Sequence, residues 1–267
     1  MNPLLSIAIQ AAGAAGKEIM DIQNNPKADF GIELKADNTP LTIADKKAHQ
    51  VIAHMLAATH IPILSEEGAH LDYDARKAWK RLWMVDPLDG TKEFIKRNGE
   101  FTVNIALIEL GAPVLGVVYV PATATLYFGD TSEGAWRITL SPSTQMLPPT
   151  DELLRRATKL PQKRKDEDFV IVASRSHMNA ETEAYIRRAT NQKASVRIIS
   201  CGSSIKLCRV AEGNADAYPR FAPTMEWDTA AGHAIVQAAG HQVLMTNEQT
   251  PLHYNKKDLH NPPFIAK

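Results

Sequence analysis

The sequence predicts an α+β protein made of two stacked parts, and three observations lead there. The first 140 residues hold two amphipathic helical stretches followed by short strand-like segments joined by tight turns. Residues 141–168 break that pattern with prolines and a charged run, Pro161-Gln162-Lys163-Arg164-Lys165-Asp166-Glu167-Asp168. Beyond it, apolar strand-length segments alternate with helical ones, as in an α/β layer. The expected division is an N-terminal α+β unit over residues 1–150 and a C-terminal α/β unit over residues 151–267.

The elements follow in order. Leu4, Ile7, Ala8, Ala11, Ala15, Ile19 and Ile22 recur at helical spacing up to Asn24-Asn25-Pro26. This stretch has no basic residue before it, and Lys17 and Glu18 interrupt its end, so it reads as a helix rather than a signal peptide. A second helix starts near Thr42, with Ala44, Ala48, Val51, Ile52, Met55 and Leu56 on one face. Strands are expected at 61–65 and 82–86. Residues 101–108 and 114–120 flank Gly111-Ala112-Pro113 as a hairpin, and 126–128 and 135–138 complete a largely antiparallel set. In the second part, strands are expected at 169–173, 196–199, 215–218 and, last, 242–245, with helices at 179–190, 203–211 and 227–239.

Composition narrows the function. Thirty basic and thirty acidic residues balance, which argues against a general polyanion surface and leaves any phosphate recognition local. Cys201 and Cys208 are too few for a disulfide framework and lack companion zinc ligands, so they read as buried free thiols in a reducing compartment. No stretch reaches the roughly 20 apolar residues of a spanning helix. The expectation is a soluble cytosolic protein.

Chemistry concentrates in three segments: Ser65-Glu66-Glu67, Asp86-Pro87-Leu88-Asp89-Gly90-Thr91 and Trp227-Asp228-Thr229-Ala230-Ala231-Gly232. The first two end expected strands and the third opens an apolar helix, so Glu66, Asp86, Asp89 and Asp228 sit where an element can aim a side chain into a cleft. Oxygen-only ligands suit a hard divalent cation such as Mg²⁺, and so acidic a cluster repels itself until metal fills it. Read singly, Asp86 and Asp89 are ordinary turn residues. Asp228 could be a helix-start acid, and Thr42-x-x-Asp45 a capping arrangement. Gly202-Ser203-Ser204 could cradle an anion or simply cap a helix that carries an exposed Lys206. His177 could be a solvated loop histidine.

The three acidic segments, in this order, resemble the inositol monophosphatase superfamily of lithium-sensitive, Mg²⁺-dependent phosphatases. Within it the chain is most similar to the bacterial 3'(2'),5'-bisphosphate nucleotidases, through Thr91-Lys92-Glu93-Phe94, Ser174-Arg175-Ser176-His177, Gly202-Ser203-Ser204-Ile205-Lys206 and Tyr218-Pro219-Arg220-Phe221. The likeness covers nearly the whole chain and is weakest at residues 140–168 and at the C-terminus. It implies a two-domain layered α-β-α-β-α sandwich of the inositol monophosphatase and fructose-1,6-bisphosphatase type. It implies two or more Mg²⁺ ions held by Glu66, Asp86, the Leu88 carbonyl, Asp89 and Asp228, with Li⁺ as an inhibitor.

The resemblance also implies roles for single residues. Thr91 would hydrogen-bond the attacking water, Asp45 would accept from Thr91, and Glu67 would orient a ligand or water. Ser174, His177, Gly202 and Lys206 would contact the nucleotide and its uncleaved phosphate, with Glu66, Leu88, Asp89, Gly90, Thr91 and Asp228 around the cleaved one. Tyr218 and Arg220 are weaker candidates for the same pocket. The implied reaction is hydrolysis of the 3'-phosphate of adenosine 3',5'-bisphosphate to AMP and phosphate, with the 5'-phosphosulfate analogue a further substrate linked to sulfur assimilation. The partner is then a small nucleotide, not a nucleic acid. The chain would be a cytoplasmic monomer or homodimer, with peripheral attachment to the cytoplasmic side of the inner membrane left open. Two rival readings are an inositol monophosphatase and a catalytically silent protein- or RNA-binding module on the same fold.

Overall fold

A computed structural model describes residues 2–25, 29–35, 39–69, 71–141, 147–174 and 178–267. Helix α1 (Pro3–Asn24) opens on an Asn2 side chain that accepts from the Leu4 N–H, with Pro3 at its first position, where its missing donor costs nothing. A two-strand ribbon, β1 (Glu33–Leu34) with β2 (Pro40–Leu41), leads into α2 (Ile43–Ala57). The apolar faces of α1 and α2 pack on each other and on one side of a seven-stranded sheet.

That sheet runs β3 (Ile63–Ser65), β4 (Arg81–Asp89), β5 (Thr102–Glu109), β6 (Ala112–Val120), β7 (Thr125–Asp130), β8 (Gly134–Thr139) and β9 (Thr158–Leu160) in spatial as well as chain order. Only β3 pairs in parallel, with β4; every other neighbour is antiparallel. Side chains alternate across it. Trp83, Val85, Val103, Ile105, Val117 and Phe128 face α1 and α2. Leu82, Met84, Ala106, Ile108, Val118 and Tyr127 face the other way. Both faces are covered, which is why the central strands read as unbroken apolar runs. Three short helices decorate this half: α3 (Tyr73–Arg76), α4 (Thr91–Ile95) and α5 (Thr150–Arg156).

The second half supplies the remaining layers. Strands β10 (Phe169–Ala173) and β11 (Val196–Ser200) pair in parallel around helix α6 (Ala180–Gln192). Helices α7 (Ile205–Ala211) and α8 (Glu226–Ala238) lie against the large sheet on the face opposite α1. Strands β12 (Tyr218–Arg220), β13 (Val243–Met245) and β14 (Phe264–Ala266) form a small sheet in the order β12-β14-β13. The result is an α+β sandwich whose layers alternate as α1/α2, large sheet, α7/α8, small sheets and α6.

Several expectations need correction. The sequence reading ended on a strand at 242–245, but β14 follows it and joins β12 to β13. The strand expected at 215–218 is β12, at 218–220, while Ala217 makes only an isolated bridge to Ile171. The helix expected from 203 begins at 205. The segment 141–168, read as a boundary, contains α5 and also β9, which closes the edge of the large sheet. Cys201 and Cys208 are buried and unbridged, as expected. Among the described residues no helix is long and apolar enough to cross a membrane.

Helix α8 seats on β6 at Gly116, where an added Cβ would stand 2.2 Å from the Ala231 carbonyl oxygen. Backbone cannot rotate away as a side chain can, so Gly116→Ala must lift the helix that carries Asp228. A loss of about 1–3 kcal/mol is expected, the usual range for overpacking, read as a lower urea midpoint at unchanged slope.

Candidate active site

The acidic segments meet at one cleft of about 460 Å³, two at the ends of strands and one at the start of a helix. Glu66 follows β3. A register shift in β4 between Asp86 and Asp89 turns both residues toward the cleft. Gly90 then takes a φ of +91°, a conformation a side chain would strain, and this starts α4 at Thr91. Asp228 lies in the first turn of α8. Glu66, Asp86, Leu88, Asp89, Gly90, Thr91, Ser174, Gly202, Lys206 and Asp228 all line this cleft, together with Tyr218 and Arg220. Asp45 and Glu67 stand behind it. His177 lies outside the described residues.

The carboxylates are braced from below. Asp86 Oδ1 accepts from the Leu88 N–H at 3.0 Å, and Asp228 Oδ2 from the Met225 N–H at 2.9 Å. Asp89 Oδ2 accepts from the Ser204 N–H at 2.7 Å and has the Ser204 hydroxyl at 2.8 Å. That hydroxyl also lies 2.7 Å from the Asp228 carbonyl oxygen and accepts from Asn104 Nδ2 at 2.8 Å, so one serine ties two of the acidic segments together. Lys35 Nζ pairs with Glu66 at 2.6 Å and also with Glu67. Burial, then the charges of Glu66, Asp89 and Asp228, hold the Asp86 carboxyl well above the usual range. Burial, then Asp89 and Glu66, do the same to Asp228.

These residues fit a hard divalent cation by donor type: four carboxylates and a carbonyl, with neither sulfur nor nitrogen among them. Burial and mutual repulsion together hold the Asp86 and Asp228 carboxyls high, and a cation would offset both. Among the described residues, however, no three His, Cys, Asp or Glu side chains form a ready-made cage. Their oxygens are instead taken up by Lys35, Ser204 and backbone N–H groups, as the hydrogen bonds above record.

The Asp45 carboxylate meets both Thr42 and Thr91. Asp45 Oδ2 accepts from the Thr42 N–H at 2.7 Å and the Thr42 hydroxyl at 2.5 Å, which closes the capping box of α2. Its other oxygen, Oδ1, accepts from Thr91 Oγ1 at 3.1 Å. One carboxylate thus joins the start of α2 to Thr91. Burial raises its pKa, opposed by the hydrogen bonds from Thr42 and Thr91.

Lys206 departs from the exposed lysine of the simpler reading. It is only 6% exposed. Its Nζ donates to the Ser203 carbonyl at 2.6 Å and lies 5.7 Å from the centre of the Tyr218 ring. Burial lowers its pKa. Arg220 donates to the Pro223 carbonyl at 3.0 Å, while its Nε has no hydrogen-bond partner. Sequence reasoning missed Lys35, which sits in a polar loop without any pattern. It also missed the bracing role of Ser204 and Asn104, although Ser204 lies inside a segment already singled out.

The family model described as "Inositol monophosphatase family" matches residues 1–266. The chain belongs to the inositol monophosphatase family. Within that family it is 44% identical over 265 residues to the 3'(2'),5'-bisphosphate nucleotidase CysQ of Shigella flexneri, covering 98% of both chains. It is 43% identical to the protein of the same name from Escherichia coli K12, again over 98% of each. Among solved structures, CysQ from Bacteroides thetaiotaomicron superposes with a TM-score of 0.91 at 51% identity, covering 98% of this chain and 96% of that one. The SuhB protein of Bartonella henselae is more distant, with a TM-score of 0.74 at 25% identity over 99% of this chain and 93% of its own.

Proposed function

We propose that this protein is a Mg²⁺-dependent 3'(2'),5'-bisphosphate nucleotidase that converts adenosine 3',5'-bisphosphate and water to AMP and phosphate. The observation that carries this reading is the cleft itself. Glu66, Asp86, Asp89 and Asp228 open onto the same space as Lys206 and Gly202, so one phosphate can be cut while another is held. Likeness to the CysQ nucleotidases over the whole chain supports the substrate.

Glu66, Asp86, the Leu88 carbonyl, Asp89 and Asp228 would hold the Mg²⁺ ions, which when bound supply Lewis-acid charge stabilisation at the phosphoryl oxygens. Thr91 and Asp45 handle the proton. Because the Thr91 hydroxyl donates to Asp45, its lone pair is free to accept from the attacking water. As water oxygen bonds to phosphorus and the P–O3' bond breaks, the water proton passes to Thr91 Oγ1 and the Thr91 proton to Asp45 Oδ1, while the departing O3' takes a proton from solvent and Asp45 later releases its own to solvent. A carboxylate whose pKa burial has raised is the better acceptor for that step. Glu67 steadies Lys35 and Glu66 rather than touching the reacting atoms. Ser174 and His177 would help hold the nucleotide.

The 5'-phosphosulfate analogue carries the same 3'-phosphate, so we extend the reading to it and to sulfur assimilation. Li⁺ is expected to inhibit by competing for the carboxylates. Two buried cysteines outside any disulfide fit a reducing compartment, and we place the protein in the cytoplasm as a monomer.

Lys206 tests the substrate assignment. Lys206→Met keeps the buried stem and removes the charge. A charge-assisted contact to phosphate is worth roughly 1.5–3 kcal/mol, so kcat/KM for the bisphosphate should fall by about one to two powers of ten. A substrate with a single phosphate gives Lys206 nothing to hold and should barely change. Equal losses on both would make Lys206 part of the scaffold, and the inositol monophosphatase reading would then gain.

A further inference from the structure

The Glu226 carboxylate is wholly buried and lies outside the chemistry described above. It begins α8, two residues before Asp228. Its oxygens accept from the Asn255 N–H at 2.6 Å and the Lys256 N–H at 3.0 Å, and pair with the Lys256 ammonium. A buried charge is tolerated only when matched in this way. Asn255 adopts a φ of +64°, the turn that brings the two successive N–H groups onto one carboxylate.

The segment captured here crosses the start of α8 like a strap. The Glu226 N–H donates to the Leu259 carbonyl at 2.9 Å, Met225 bridges His260, and Asn261 Nδ2 donates to the Met225 carbonyl at 2.8 Å. At its other end the strap is anchored to α3. Arg76, 2% exposed, donates to Asn255 Oδ1 at 2.8 Å and to the Lys256 carbonyl at 2.7 Å, and Asn255 Nδ2 returns a bond to the Arg76 carbonyl at 3.0 Å. Met225 therefore sits between two holds. Its carbonyl and its bridge belong to the strap, while its N–H donates to Asp228 Oδ2.

We propose that Glu226 is a positioning residue, which through the strap of residues 255–261 fixes the α8 start and with it the Asp228 carboxylate for a divalent cation. The inference rests on reading Asp228 as a metal ligand. Groups that orient a ligand from behind typically change metal affinity by about 10–100-fold when replaced. Glu226→Gln removes the charge that gathers two N–H groups and an ammonium, so the strap loosens and Met225 loses its fixed place.

The test is calorimetric titration of Mg²⁺ into the chelator-treated full chain, with a thermal melt of each variant. Glu226→Gln should raise the Mg²⁺ Kd about tenfold. Lys256→Met keeps both backbone bonds and should stay within about twofold of wild type. Leu153→Ala, in the distant α1-side core, should lower Tm as much or more and leave Kd unchanged. A Glu226→Gln protein that melts lower yet binds Mg²⁺ with the wild-type Kd would overturn the proposal and leave Glu226 a purely structural group. Should that variant fail to fold, Asn255→Gly retains the left-handed turn and removes only the two side-chain bonds of Asn255 to Arg76. It should weaken Mg²⁺ by about threefold, and a wild-type Kd there would overturn the proposal as well. No Mg²⁺ binding by the wild-type chain would overturn the metal reading first and this inference with it.

Discussion

Thr91→Ala should lower kcat by roughly 10²–10⁴, the usual range when a proton acceptor is lost, and Asp45→Asn should do the same. The double variant should be little worse than either, because groups that act as a unit are strongly non-additive. The geometry makes this a sharp test. Asp45→Asn keeps an oxygen and hydrogen-bonding capacity, so the α2 cap should suffer only modestly while the proton acceptor is lost. Circular dichroism and melting should therefore change little where kcat collapses. Multiplicative losses across the two single variants would show that Thr91 and Asp45 act separately, and a wild-type kcat in Asp45→Asn would leave that residue a cap alone.

Asp89→Asn should cost activity on the order of 10³, since several kcal/mol of charge stabilisation depend on an anionic ligand there. The fold should survive. The asparagine oxygen still accepts from Ser204, and removal of one charge relieves the repulsion that acts on Asp86 and Asp228. In chelator the variant should melt at or above the wild-type temperature. Near-normal turnover at saturating Mg²⁺ would contradict the assignment of Asp89 as a ligand.

Much of this architecture was legible because burial on both sheet faces writes a long apolar run. Residues 82–86, 101–108 and 114–120 could be read as strands for that reason. β9 and β14 could not. Each is three residues long, and β9 is Thr-Lys-Leu, so pairing with a distant neighbour rather than local preference makes it a strand. The acidic turns were visible as words in the chain, but what braces them was not. Ser204 reaches Asp89 across 115 positions and Asn104 reaches Ser204 across 100, and no local pattern encodes such a meeting. The simpler reading of Lys206 as an exposed helix lysine fails for a traceable reason. Ile205, Leu207, Cys208, Val210 and Ala211 are all buried. These neighbours pack α7 into the core, and the lysine is enclosed with them. Thr42-x-x-Asp45 shows the cap in the sequence, but the bond from Thr91 to the second Asp45 oxygen spans 46 positions and has no local signature.

The most direct measurement is phosphate release by the purified chain from adenosine 3',5'-bisphosphate, AMP and inositol 1-phosphate, each with Mg²⁺ and with chelator. Rapid release from the bisphosphate alone, abolished by chelator, is the result predicted. Equal or faster release from inositol 1-phosphate, or release that persists in chelator, would contradict it.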